Sequence, residues 1–149
     1  LYECAALAML LAERHPEKGF APAVGSAQRG LYLQWMLHLA NTVQPAFRSW
    51  WYPEEAAGPE HADVVKARAT ERIERAWDRL DAHLAAGRPY ILGDAPTVPH
   101  FLATMLARWS RNMARPATEW PALGKLVARM KARPSFRTLY QREGLTEWA

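Results

Sequence analysis

The sequence predicts an all-α fold, a bundle of helices, on three observations. Alternation of apolar and polar residues never persists long enough for a strand. Apolar residues instead recur at three- and four-residue steps. Proline and glycine close almost every such stretch. At 149 residues, 50% of them hydrophobic and 23% charged, the chain has the size and composition of one folded domain.

The elements follow in order. Glu3 to Arg14 carries Leu7, Leu10 and Leu11 on one side and ends at Pro16 and Gly19. A second helix is expected from near Ser26, a good N-cap type, to Tyr52, where Pro53 stops it. Leu31, Leu33, Trp35, Met36, Leu37, Leu39 and Val43 make it apolar nearly all round, as a central helix should be. Pro45 has no N–H and its ring opposes the carbonyl four residues back, so a kink freeing the Asn41 carbonyl is expected.

The third helix carries the stripe Val65, Ala69, Ile73, Ala76, Trp77, Leu80 and Leu84, with a charged opposite face and pairs such as Glu71–Arg75. Gly87-Arg88-Pro89 closes it. Val98, Phe101, Leu102, Met105, Leu106 and Trp109 outline a buried fourth helix. Trp120–Ala132 and Pro134 to about Glu143 are two shorter ones, with Pro134 suited to a first turn and Gly144 to a C′ position.

Composition narrows function. No apolar run approaches the ~20 residues of a membrane span, so no membrane partner is expected. One cysteine, Cys4, excludes an intramolecular disulfide framework and a cysteine zinc site and suits a reducing, cytoplasmic compartment. From Arg108 to Arg142 nine basic residues face one acid, Glu119. Aromatics are not interleaved with them as a stacking platform requires, so they are read as solvated helix faces and no nucleic-acid partner is expected.

The common catalytic signatures are absent: no Gly-rich phosphate loop, no G-x-S-x-G, no H-E-x-x-H. His15, His38, His61, His83 and His100 show no metal-ligand spacing, so they are read as surface or capping residues and no metal is expected. Cys4, near a helix start, is read as a small buried hydrophobe, with a dipole-favoured thiolate as the alternative. Asn41, Gln44, Arg48 and Trp51 share one face at 3.6 residues per turn; that spacing fits a ligand cleft and a wet helix side equally. Thr97 occupies an N-cap position with Pro99 just inside the helix and His100 at the third helical position. A neutral His100 can accept from the Thr97 N–H, an imidazolium would oppose the helix dipole, and His100→Asp should raise stability.

In this order and spacing, these features resemble the C-terminal helical domain of a glutathione S-transferase of bacterial type. Leu1-Tyr2-Glu3-Cys4-Ala5-Ala6-Leu7, running into Leu11-Ala12-Glu13-Arg14-His15-Pro16, is similar to the family's L-x-E-S-x-A-I…LAE-x-x-P segment. Leu92-Gly93-Asp94-Ala95-Pro96-Thr97-Val98-Pro99-His100 resembles its L-G-x-x-x-S/T-x-A-D turn. Trp120-Pro121-Ala122-Leu123, Ala132-Arg133-Pro134-Ser135-Phe136 and Glu143-Gly144-Leu145 resemble its closing elements.

The resemblance implies that residues 1–16 are the last helix of a thioredoxin-like N-terminal domain, whose remainder precedes Leu1, and that 17–149 are the helical domain. It implies a glutathione-binding role for Glu3 and Cys4, the acid taking the γ-glutamyl amine and the helix start with the side chain taking its carboxylate. Cys4 stands where the family has serine and is a weaker donor. Gln44-Pro45-Ala46-Phe47 stands where bacterial relatives carry H-P-A-F, so Gln44 donates a hydrogen bond but is no base. Asn41, Gln44, Arg48 and Trp51, with Trp109 as a wall, are the expected pocket for a small hydrophobic electrophile. The thiol-activating residue belongs to the missing domain, so no catalytic residue is expected in this chain, and alone it should be inactive. The basic stretch would help collect glutathione, and a homodimer with the second and third helices at its two-fold axis is implied. The alternative is a non-catalytic helical interaction module of the same fold.

Overall fold

The computed structural model describes residues 1–148. Eight α-helices follow one another among these residues: α1 (Cys4–Arg14), α2 (Arg29–His38), α3 (Gln44–Trp51), α4 (Glu54–Ala57), α5 (Ala62–Ala85), α6 (Val98–Trp109), α7 (Pro121–Lys131) and α8 (Pro134–Arg142). No strand forms among the described residues; Tyr90 and Gly93 pair as an isolated bridge within the turn before α6. The fold is all-α.

α5 is the long element because its apolar stripe recurs along most of its 24 residues. Ala69, Ile73, Ala76, Trp77, Leu80 and Leu84 are buried, α3 packs on one side of it and α7 on the other. The acids on its flank reach across to α7. Asp81 Oδ1 accepts the N–H groups of Ala122 (2.7 Å) and Leu123 (2.9 Å), capping α7 from another helix, and Asp78 Oδ1 accepts Trp120 Nε1–H at 2.7 Å. Glu71 pairs with Arg68 rather than with Arg75, three residues back instead of four ahead.

α6 is buried on almost every side and packs against α1, α2 and α7. α8 ends as its glycine requires. Gly144 is at φ 61°, and the N–H groups of Leu145 and Gly144 return to the carbonyls of Tyr140 (2.9 Å) and Gln141 (3.4 Å), a paired closure that caps the last turn.

Two elements depart from the sequence expectation. The second helix starts at Arg29, not near Ser26, because Gln28 sends its side-chain N–H to the Leu92 carbonyl (2.8 Å) and Ser26 belongs to the preceding turn. The interruption at Pro45 takes the form of a π segment, Leu39–Val43, in which the Gln44 N–H returns to the Leu39 carbonyl five residues back. On α1 the packing face is Ala5, Ala8, Met9 and Ala12, while Leu11 of the expected leucine stripe is 59% exposed. Small residues let α1 approach α6 closely, while Leu11 is left outside and Leu7 and Leu10 are half-buried.

Candidate functional site

α1 overhangs the bundle at its start, where Leu1 and Tyr2 are almost fully exposed. Glu3 precedes the first helical residue with φ 69° and ψ 101°, a backbone state that costs an L-residue energy. Its carbonyl accepts the Leu7 N–H at 3.0 Å and so begins the helical ladder. The first N–H groups of α1 have no intrahelical acceptor and sit at the positive end of its dipole. The adjoining Glu3 carboxylate supplies the opposite charge. Together they offer donors for a carboxylate and an acceptor for an amine within one turn.

Cys4 is exposed, contrary to the reading as a buried hydrophobe, because this first residue of α1 lies in the overhang. Its Sγ–H points to Gln44 Oε1 at 3.6 Å. The two residues are 40 apart in sequence, and their contact joins the start of α1 to the start of α3.

From Gln44 onward the helical projection holds, and Gln44, Arg48 and Trp51 lie along one face of α3. Asn41 is exposed in the π segment, where the 3.6-residue projection does not apply. Arg48 is already engaged: its Nε and Nη2 donate to both oxygens of Glu55 (2.9 and 2.6 Å), and its guanidinium lies over the Tyr52 ring at 4.6 Å. That carboxylate holds the Arg48 guanidinium above its ordinary pKa. Trp51, 39% exposed, meets Trp109 with ring centroids 4.9 Å apart, and Phe47 packs edge-on against Trp109 at 5.7 Å. The structure thus brings Cys4, Gln44, Trp51 and Trp109 to one side of the bundle and ties Arg48 back to Glu55.

Trp109 also borders an apolar cavity of about 300 Å³ between α6, α7 and α8, with Met105, Phe136, Leu139, Tyr140 and Trp148 among its walls. Arg108 Nε donates to the Tyr140 hydroxyl there at 3.1 Å. Sequence reading did not single out this hollow. Phe136 carried a signal in its segment, but the meeting of α6 with the C-terminal turn is visible only once the chain folds back.

Part of the basic stretch is bound rather than solvated. Arg108 holds Tyr140, Arg111 pairs with Glu147 (3.1 Å), and Arg115 lies over the Trp120 ring at 3.6 Å.

Thr97 and His100 build the capping box of α6, and His100 is sealed within it. His100 is 0% exposed. Its Nδ1 lies 2.7 Å from the Thr97 N–H and its Nε2 lies 2.7 Å from the Ile91 N–H. Burial pushes its pKa down to about 4, against the backbone hydrogen bond at Thr97 and with help from the Arg133 charge. No three of His, Cys, Asp and Glu converge among the described residues, and no helix among them is long and apolar enough to cross a membrane.

Residues 63–142 match the family model for the glutathione S-transferase C-terminal domain. A GST-like protein of Escherichia coli K12, YncG, uncharacterized, is 30% identical over 118 residues, which are 79% of this chain and 53% of that protein. The chain therefore spans about half the length of that curated relative. Among solved structures, a glutathione transferase from Methylococcus capsulatus superposes with a TM-score of 0.86 at 26% identity, over 98% of this chain and 69% of that one. A sphingomonad glutathione S-transferase complexed with glutathione gives 0.82 at 28% identity over the same shares. With more than half its length matched to the family and its fold superposing end to end, the chain belongs to the glutathione S-transferase family and carries that family's C-terminal domain.

Proposed function

We propose that the protein containing this chain is a glutathione transferase-like enzyme. The thiolate sulfur of glutathione attacks an electrophilic carbon, whose leaving group departs with the bonding pair, or attacks one sulfur of a disulfide and releases the other as a thiolate. Glutathione is the co-substrate, and the second substrate is a small hydrophobic electrophile or a disulfide. The thiol-activating group lies in a thioredoxin-like domain preceding Leu1, of which residues 1–16 are the last helix, so residues 1–149 alone are inactive.

In this reading the start of α1 and Cys4 take the γ-glutamyl carboxylate and Glu3 takes the amine. Gln44, Trp51 and Trp109 face the second substrate, with Asn41 and the Glu55-held Arg48 at its edge. Exposed Leu11 of α1 and the half-buried face of α6 suit the rest of the N-terminal domain. The protein works as a cytoplasmic homodimer through α2, α3 and α5.

The observation that carries the reading is the 3.6 Å contact of Cys4 with Gln44, which joins the start of α1 to the start of α3. The sphingomonad relative complexed with glutathione supports it. The test is a calorimetric titration of the full-length protein with glutathione, followed by turnover with an activated aryl chloride and with a small disulfide. Saturable binding and turnover of one of them are expected. Absence of both binding and turnover overturns the proposal.

A further inference from the structure

Arg48 stands one helical turn from both Gln44 and Trp51, on the face of α3 given above to the second substrate. The packing of α3 on α5 uses other residues. Phe47 meets Trp77 with ring centroids 6.3 Å apart, and Lys66 lies over the Trp50 ring at 4.8 Å. Gln44, Trp51 and Trp109, the neighbours of Arg48 on the substrate face, are uncharged. A guanidinium does not lose its proton, so Arg48 alone would make this face a seat for anions.

Glu55 closes that seat. Pro53 follows the end of α3, and the turn there sends the Glu55 N–H to the Tyr52 carbonyl at 3.2 Å. The turn brings the Glu55 carboxylate beside Arg48, seven residues earlier. Both its oxygens are taken by Nε and Nη2, and the Tyr52 ring lies against the guanidinium at 4.6 Å. Arginine uses this same two-pronged geometry to take a substrate carboxylate, so Glu55 fills the edge such a substrate would need and brings the local charge to zero. Glu54, one residue earlier, is exposed and pairs with no cation among the described residues, so the neutralisation belongs to Glu55.

We propose that Glu55 sets the charge selectivity of this face: paired with Arg48, it makes an uncharged electrophile the second substrate and turns an anionic one away. Within the transferase reading, on which this rests, Glu55 touches no substrate and acts through Arg48 as a positioning residue.

The test is equilibrium binding of two ready-made conjugates to the full-length protein. S-(dinitrophenyl)glutathione has a neutral ring, and S-(carboxynitrophenyl)glutathione carries a carboxylate on its ring. Calorimetry gives the ratio of their affinities, and the parent should bind the neutral conjugate more tightly. Glu55→Gln frees the guanidinium and should move the ratio toward the anionic conjugate by at least about threefold. Arg48→Gln/Glu55→Gln removes both charges and should return the ratio to within about twofold of the parent's. Glu54→Gln removes the same charge without touching the pair and should leave the ratio in place. All three variants should melt with the parent, because these side chains are exposed. If both conjugates bind and Glu55→Gln leaves the ratio unmoved, or Glu54→Gln moves it equally, the role of Glu55 is overturned and the transferase reading stands. A parent that favours the anionic conjugate overturns it in the same way. If neither conjugate binds, the second-substrate face is misassigned and the role of Glu55 falls with it; the glutathione titration above then decides whether the transferase reading survives.

Discussion

The backbone N–H of Ile91 lies 2.7 Å from Nε2 of His100, so one imidazole holds both the first turn of α6 and the chain that precedes it. The Ile91 carbonyl is in turn 2.7 Å from Nε2 of His83 on α5. Two histidines thus clamp the backbone of one residue on both sides, and α5 and α6 are tied through it. A neutral imidazole has one lone pair, and His100 faces two backbone donors, Ile91 and Thr97. With the lone pair at Nε2, Nδ1–H donates to the Thr97 carbonyl at 2.7 Å, and the Thr97 N–H goes without an acceptor.

A carboxylate at this position has lone pairs enough for both donors. His100→Asp should therefore raise stability near neutral pH by about 0.5–1.5 kcal/mol. The denaturation midpoint measures it, and a midpoint at or below the parent's counts against this account.

Acid should act on the same residue. His100 folds with a pKa near 4, below the ordinary 6.5, so between these values the unfolded chain binds a proton that the folded chain refuses. Stability from this group is complete above pH 6.5 and falls by about 3 kcal/mol as the pH drops through the window. His38, also lowered, adds in the same direction. Midpoints measured from pH 7 to 4 should fall, and the slope should be shallower in His100→Gln.

Ser110 is buried at the end of α6, where its hydroxyl donates to the Ala107 carbonyl (2.6 Å) and accepts the Ala117 N–H (2.7 Å). Ser110→Ala strands a buried N–H and should cost about 1–3 kcal/mol. Equilibrium unfolding reads the loss, and a change below a few tenths would mean that water reaches the Ala117 amide.

Gly124 stands in α7 where a Cβ would come within 2.5 Å of the Thr118 carbonyl oxygen. That atom is backbone, so Gly124→Ala should destabilise by about 1–3 kcal/mol despite alanine's better helix propensity. A stabilised variant would show that the turn before α7 shifts freely.

Cys4→Ser restores a stronger donor at the start of α1. Within the proposed glutathione reading it should tighten glutathione binding by about threefold to tenfold, equivalent to 0.5–1.5 kcal/mol. Titration of parent and variant decides, and equal affinities would remove this side chain from the site.

Most of the bundle was legible from periodicity. α5, α6, α7 and α8 lie within a few residues of their predicted bounds, because each has an apolar stripe wide enough to demand a partner and a stop signal at its end. The spacing of Leu7, Leu10 and Leu11 on α1 did not say which face packs; close approach to α6 favoured Ala5, Ala8, Met9 and Ala12. The site was legible in parts: residue types at the start of α1 and along α3 could be named, while the Cys4–Gln44 contact, the Glu55 clamp on Arg48 and the hollow beside Trp109 depend on chain segments far apart in sequence.

The sequence by itself determined the helical class, the stops, the capping box and the family motifs, since these rest on interactions within about one helical turn or on short patterns. Only the tertiary structure decided which face of α1 is buried, how the chain passes Pro45 through a π segment, and that His100 serves Ile91 as well as Thr97. It also decided where the acids of α5 point. These outcomes turn on long-range packing and on competition among several partners for one polar group, which no local pattern encodes.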